Sequence, residues 1–195
     1  RRLANRVKSQ TPVTVVLGNP PYKELANGDG GWVELGGQEH GRRSRPILED
    51  FFDPEAGRFK AKLKNLYIYF WRWATWKVWE ATPQRDGLNQ GIVCFISTSG
   101  YLTGPGFTAM REYLRREASE GWIINLTPEG QTPDVPTRVF PGVRQPLAIG
   151  LFVRRTDVDP ASPAPIRCRT VHGRQAEKFA QLESIGLDDD GWRLA

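Results

Sequence analysis

The sequence predicts an α/β layered domain, and three observations predict it. Four short apolar runs, at residues 13–17, 91–96, 122–126 and 147–153, start or stop at Gly, Pro, Ser or Thr, as buried strands do. Two longer segments, 59–81 and 107–118, repeat apolar residues at i, i+3, i+4 spacing instead, which is a helical stripe. The resulting order is strand, helix, strand, helix, strand, strand, so the last strand returns without a crossover helix.

The first run, Val13-Thr14-Val15-Val16-Leu17, ends at Gly18-Asn19-Pro20-Pro21 and reads as a buried strand with a loop at its carboxyl end. Ligands of open α/β sheets bind outside the carboxyl ends of strands, so this loop is a candidate site. Residues 23–58 hold six glycines before position 42 and the basic trio Arg42, Arg43 and Arg45. They predict a long loop with one short helix near 47–52, and loops of that length in compact domains are commonly functional. Leu63, Leu66, Tyr67, Phe70, Trp73 and Ala74 then predict one long, largely buried helix over 59–81.

The second strand ends in Ser97-Thr98-Ser99-Gly100, and Met110, Tyr113 and Leu114 mark the helix over 107–118. Pro160, Pro163 and Pro165, with Asp157 and Asp159, read as a linker. Alternation across 166–171, with Arg167 and Arg169 on one face, predicts an edge strand, and 175–185 reads as a helix. The expected division is a main region over 1–156 and a small following region over 157–195.

With 195 residues and 39% hydrophobic content the chain can bury one sizeable core. It has no run approaching the roughly 18 apolar residues of a membrane span, so the expected location is the cytoplasm. Cys94 and Cys168 stand apart without His or Cys at ligand spacing, which argues against a metal site and a disulfide framework; Cys94 reads as a small core residue. The net charge of +5 and the pI near 9.4 suit a polyanionic partner, because Lys and Arg displace counterions from phosphates. The chain starts at Arg1, and the expectation is that it is part of a larger polypeptide.

The chemistry that the first loop offers is specific. An exocyclic amino nitrogen of a purine is a poor nucleophile because its lone pair is delocalised into the ring. Two acceptors aimed at its two N–H bonds correct this, and Asn19 supplies a side-chain amide oxygen while Pro20 supplies a carbonyl stiffened by Pro21. Tyr22 offers a ring on which a flipped-out base can stack. A strong general base is not needed, since the nitrogen becomes acidic once alkylated.

Gly18-Asn19-Pro20-Pro21-Tyr22 after a strand resembles the catalytic motif of the amino-methyltransferases, in the form typical of the adenine-N6 class. Asn65-Leu66-Tyr67 is similar to the start of the helix after that loop, Ser97 to Leu102 to the next strand end, and Val139-Phe140-Pro141-Gly142-Val143 with 147–155 to the closing hairpin. The match runs in order through about residues 13–155, and the long loop and tail look most like type ISP restriction-modification enzymes.

The resemblance implies the C-terminal half of a Rossmann-like methyltransferase sheet with a small C-terminal extension. It implies S-adenosylmethionine as cofactor, duplex DNA as partner, and adenine-N6 methylation in restriction-modification or phage defence. Asn19, Pro20, Pro21 and Tyr22 would be catalytic, Asn19, Leu66 and Phe140 would bind cofactor, and Arg42, Arg43 and Arg45 would meet DNA phosphates. Phe140 would line the cofactor's adenine pocket or stack on the flipped base. The glycine-rich turn and acidic residue of the family's cofactor half are expected ahead of Val13, where only twelve residues stand. Two alternatives stay open: a non-catalytic DNA-binding or scaffolding module, and a methyltransferase acting on RNA or protein.

Overall fold

A computed structural model describes residues 13–39, 42–81, 89–131, 137–155, 158–159 and 161–195. The residues ahead of Val13, and 156 and 157 where the domain boundary was expected, lie outside that description. The apolar runs form strands β1 (Val15–Gly18), β4 (Gly91–Thr98), β5 (Glu120–Asn125) and β6 (Leu147–Arg154), joined by β7 (Ile166–Thr170) and β8 (Arg193–Leu194). Together they make one six-stranded mixed sheet in the order β1-β4-β6-β5-β7-β8. A separate two-stranded ribbon, β2 (Gln38–Glu39) and β3 (Arg42–Arg43), occupies the predicted long loop.

β1 runs parallel to β4, whereas β6 lies antiparallel to both β4 and β5. The last strand of the predicted order therefore returns beside its predecessor without a helix. β7 extends the sheet parallel to β5, and the two-residue β8 pairs with its outer edge. Residues 166–170 are thus the penultimate strand, because β8 covers the edge that was expected to be open.

The helices are α1 (Trp32–Leu35), α2 (Leu66–Trp79), α3 (Gly100–Thr103), α4 (Thr108–Glu117) and α5 (Gln175–Ser184). Trp71 of α2 is fully buried at the centre of the larger core, edge-on to Phe95 at 5.0 Å and Phe152 at 5.7 Å between ring centroids. Its indole N–H donates to the buried Ser97 hydroxyl at 3.0 Å. Gly150 lies directly beneath: a Cβ there would stand 2.5 Å from the Tyr101 hydroxyl and 3.1 Å from Trp71, so only glycine lets these rings reach the sheet.

Arg72, one residue on, is also buried, and it joins three elements. It donates to the Ile47 carbonyl at 2.9 Å, pairs with Asp50 at 2.5 Å and Glu80 at 2.8 Å, and lies 4.8 Å over the Tyr113 ring. The Tyr113 hydroxyl closes the network by donating to Glu80. A buried guanidinium is tolerated only when its donors are satisfied in this way.

Two expectations are corrected. The helix predicted over 59–81 begins only at Leu66, and Pro54–Lys64 forms tight 3-10 turns broken at Gly57 (φ 52°). The cause is long-range, because the Lys64 carbonyl accepts from Ala26 N–H at 2.7 Å and so does not feed a continuing helix. The strand predicted as buried is half open: Val15 is 55% and Leu17 76% exposed, while Val13 and Val16 pack on the core. Among the described residues β1 has one neighbour, β4, and no element covers the face bearing Val15 and Leu17. Cys94, paired in register with Leu17, is half-buried for the same reason.

Candidate active site

β1 delivers its loop to the carboxyl edge of the sheet, where Gly18 sits opposite Phe95. Asn19 is exposed there, Pro20 is buried and Pro21 is exposed. The Tyr22 hydroxyl donates to Asn19 Oδ1, so the amide that the sequence singles out is oriented by the aromatic residue three positions on. Partial burial pushes the Tyr22 phenol up against the opposing effect of that hydrogen bond, which keeps it a neutral donor.

The loop is fastened beyond Tyr22. Leu66 N–H donates to the Lys23 carbonyl at 2.9 Å, Ala26 N–H to the Lys64 carbonyl at 2.7 Å, and Leu25 N–H to the buried Asn65 side chain at 3.1 Å. Leu25 takes a left-handed backbone, with φ 51°, to make this turn. The amide residue ahead of Leu-Tyr is therefore a brace for the loop.

Tyr22 and Phe140 pack against one small cluster of Leu126, Val139, Leu147 and Val171. The turn after Phe140 closes by Val143 N–H to the Phe140 carbonyl at 3.2 Å, with Gly142 at φ 80°. Leu66 packs instead against the larger core around Trp71. Asn19 is thus joined to Tyr22 by a hydrogen bond, Tyr22 and Phe140 share one cluster, and Leu66 belongs to the other.

A cleft of about 430 Å³ opens beside the loop, lined among others by Glu24, Asn65, Tyr67, Thr98, Gln145 and Pro146. The Tyr67 hydroxyl is hydrogen-bonded to Thr98 and Asn65, and burial pushes its phenol up. A larger, more apolar cleft of about 500 Å³ lies between α4 and β7, away from the tetrapeptide. Glu24, two residues after Tyr22, borders the first cleft, but none of Asn19 to Tyr22 lines either cleft. Thr98 stood in the strand end that the sequence singled out, whereas Glu24 and Gln145 carried no sequence signal, since isolated polar residues in loops are ordinary.

The basic trio divides. Arg42 and Arg43 are exposed on the β2–β3 ribbon. Arg45 is tied to Asp50 at 2.5 Å and Glu49 at 3.7 Å. Among the described residues, no His, Cys, Asp and Glu group could hold a metal, and no helix is long and apolar enough to cross a membrane.

S-adenosylmethionine, implied by the motif, needs polar groups at a strand end and an aromatic or apolar lining. Exposed Asn19 at the end of β1 and the half-buried Phe140 ring fit one side of such a group. Leu66 lines a different cleft, with Asp29, Trp32 and Tyr69.

No protein-family model matches the sequence, and no curated protein matches it. The fold is that of methyltransferase subunits of restriction-modification systems: a mixed α/β sheet, here with the Asn19–Tyr22 loop at the carboxyl end of β1. The type I methyltransferase subunit from Streptococcus thermophilus matches over 95% of this chain, at TM-score 0.52 and 16% identity. The likeness is stronger to two proteins in complex with DNA or a DNA mimic. A nuclease-deletion mutant of the type ISP restriction-modification enzyme LlaGI, with a DNA substrate mimic, matches 99% of the chain at TM-score 0.69 and 19% identity. The DrdV–DNA complex matches 99% at TM-score 0.70 and 23% identity. The chain spans 34% of the S. thermophilus subunit and 18% of each of these two proteins.

Proposed function

We propose that this chain forms the target-base side of an S-adenosylmethionine-dependent DNA adenine-N6 methyltransferase, within a larger restriction-modification or phage-defence polypeptide. The observation that carries this reading is the Tyr22 hydroxyl donating to Asn19 Oδ1 at the carboxyl end of β1, with Phe140 in the same apolar cluster. The fold shared with DNA-bound restriction-modification enzymes supports it.

An amide oxygen has two lone pairs. Tyr22 occupies one on Asn19, which leaves the other for an N–H of the adenine amino group. The Pro20 carbonyl accepts the second N–H, on a backbone whose φ the proline ring fixes. Both bonds pull on the hydrogens and so raise electron density on nitrogen, where the lone pair is otherwise delocalised into the ring. The rings of Tyr22 and Phe140 offset the few kcal/mol that a base loses on leaving the stack. S-adenosylmethionine supplies an electrophilic methyl group when bound, and Asn19 and Phe140 would hold it beside the base. After transfer the nitrogen sheds its proton to water. Exposed Arg42 and Arg43 would meet phosphates and fix the register of the duplex.

The test is product analysis. The full-length protein is incubated with labelled S-adenosylmethionine and unmethylated genomic DNA, RNA or protein, and the label is followed. N6-methyladenine in duplex DNA is expected; label only in RNA or protein glutamine, or none, removes the reading.

A further inference from the structure

Helix α5 is joined to the Phe140 loop through a buried lysine. Lys178 is 0% exposed, and its ammonium donates to the Leu126 carbonyl at 2.6 Å and to Glu129 at 2.7 Å. One turn earlier, Gln175 donates to the Val139 carbonyl at 2.6 Å, immediately before Phe140. Leu182 and Ile185 then pack against the cluster that also receives Tyr22 and Phe140. Lysine inside a helix ordinarily keeps its head in water. A fully buried ammonium persists only where fixed acceptors replace that water, so its position is set by the groups it holds. Arg138 adds to the joint by donating to the carbonyls of Gly130 at 2.7 Å and Gln131 at 2.6 Å.

We propose that α5 is a clamp on the Phe140 loop, with Lys178 and Gln175 as positioning residues that set where the ring stands against the target base. This rests on the reading that Phe140 lines the base pocket. Because α5 follows β7, a movement of this helix reaches Phe140 through these two side chains, beside the apolar packing of Leu182 and Ile185. The clamp gives that helix a handle on methyl transfer.

The experiment compares Gln175→Ala and Lys178→Met with wild type in the full-length protein. Hydrogen–deuterium exchange is read over 126–131 and 137–143, and methyl transfer to unmethylated genomic DNA is read as kcat and KM. Gln175→Ala removes one hydrogen bond from a partly exposed residue, so it stays folded even where Lys178→Met does not. The expected result is faster exchange over 137–143 and a kcat lower by about 10- to 100-fold, the scale of a displaced pocket group, with little change in KM for DNA. Unchanged exchange, or wild-type kcat despite faster exchange, overturns the clamp. Failure of the underlying reading has another signature: Asn19→Ala and Phe140→Ala then methylate DNA at the wild-type rate, and the clamp's catalytic role falls with it.

Discussion

Asn65 accepts the backbone N–H of Leu25 at 3.1 Å through a buried side-chain oxygen, tying the start of α2 to the loop that carries the tetrapeptide. Leucine at 65 keeps the bulk and removes the acceptor, leaving a Leu25 N–H without its partner. Asn65→Leu is expected to cost about 1–3 kcal/mol in urea unfolding. Asn65→Asp retains an acceptor and loses less, which separates the hydrogen bond from packing.

Under the proposed function Asn19 and Tyr22 contribute differently to methyl transfer, and three substitutions separate them. Asn19→Ala removes an oriented acceptor and is expected to lower kcat by about 10²–10³, as loss of one preorganised polar contact does, with DNA binding retained. Tyr22→Phe keeps the ring and loses only the bond to Asn19, so its effect is smaller. Tyr22→Ala also loses the stacking surface, worth about 1–3 kcal/mol per base. Steady-state methylation with a filter-binding control checks the order.

Arg42 and Arg43 are exposed, whereas Arg45 is engaged by Asp50 and Glu49. Each phosphate contact adds about 0.9 to the slope of log affinity against log salt. The double variant Arg42→Ala, Arg43→Ala is therefore expected to flatten that slope by about 1.8. Arg45→Ala is expected to leave it unchanged. Equal effects from all three would show that Arg45 exchanges Asp50 for DNA.

The Glu129 carboxyl titrates below its ordinary value of 4.5: burial opposes ionisation, but the hydrogen bond of Lys178, with that of Thr137, a backbone hydrogen bond and the Lys178 charge, outweighs it. A depressed folded value means that the stability Glu129 adds is present above its unfolded value and is lost as pH falls through the folded one. Wild type and Glu129→Gln should therefore differ in unfolding free energy at pH 7, and the difference should shrink as pH falls below 4.5 and vanish only below the depressed folded value. A constant difference down to pH 3 would show that the Lys178 pair is not its source.

Much of this architecture was legible locally. The four apolar runs became strands at nearly the predicted bounds, since a run of β-branched residues between turn residues satisfies its backbone in few other ways. The Asn19–Tyr22 loop stood at a strand end, as its glycine and prolines required. Helix α5 was predicted from periodicity, yet the burial of its Lys178 was not, because the acceptors on Leu126 and Glu129 come from 52 and 49 positions away.

What the sequence by itself determined was the order of strands and helices and the chemical character of one loop. Both follow from local periodicity, from proline and glycine geometry, and from the functional groups that the residues carry. Tertiary structure alone decided that α2 starts at Leu66, that Val15 and Leu17 face outward, that Arg45 turns to Asp50, and that Tyr22 and Phe140 share a cluster. Each of these depends on which distant group arrives as a neighbour: a backbone carbonyl already claimed, a sheet edge left uncovered, or a carboxylate brought within reach.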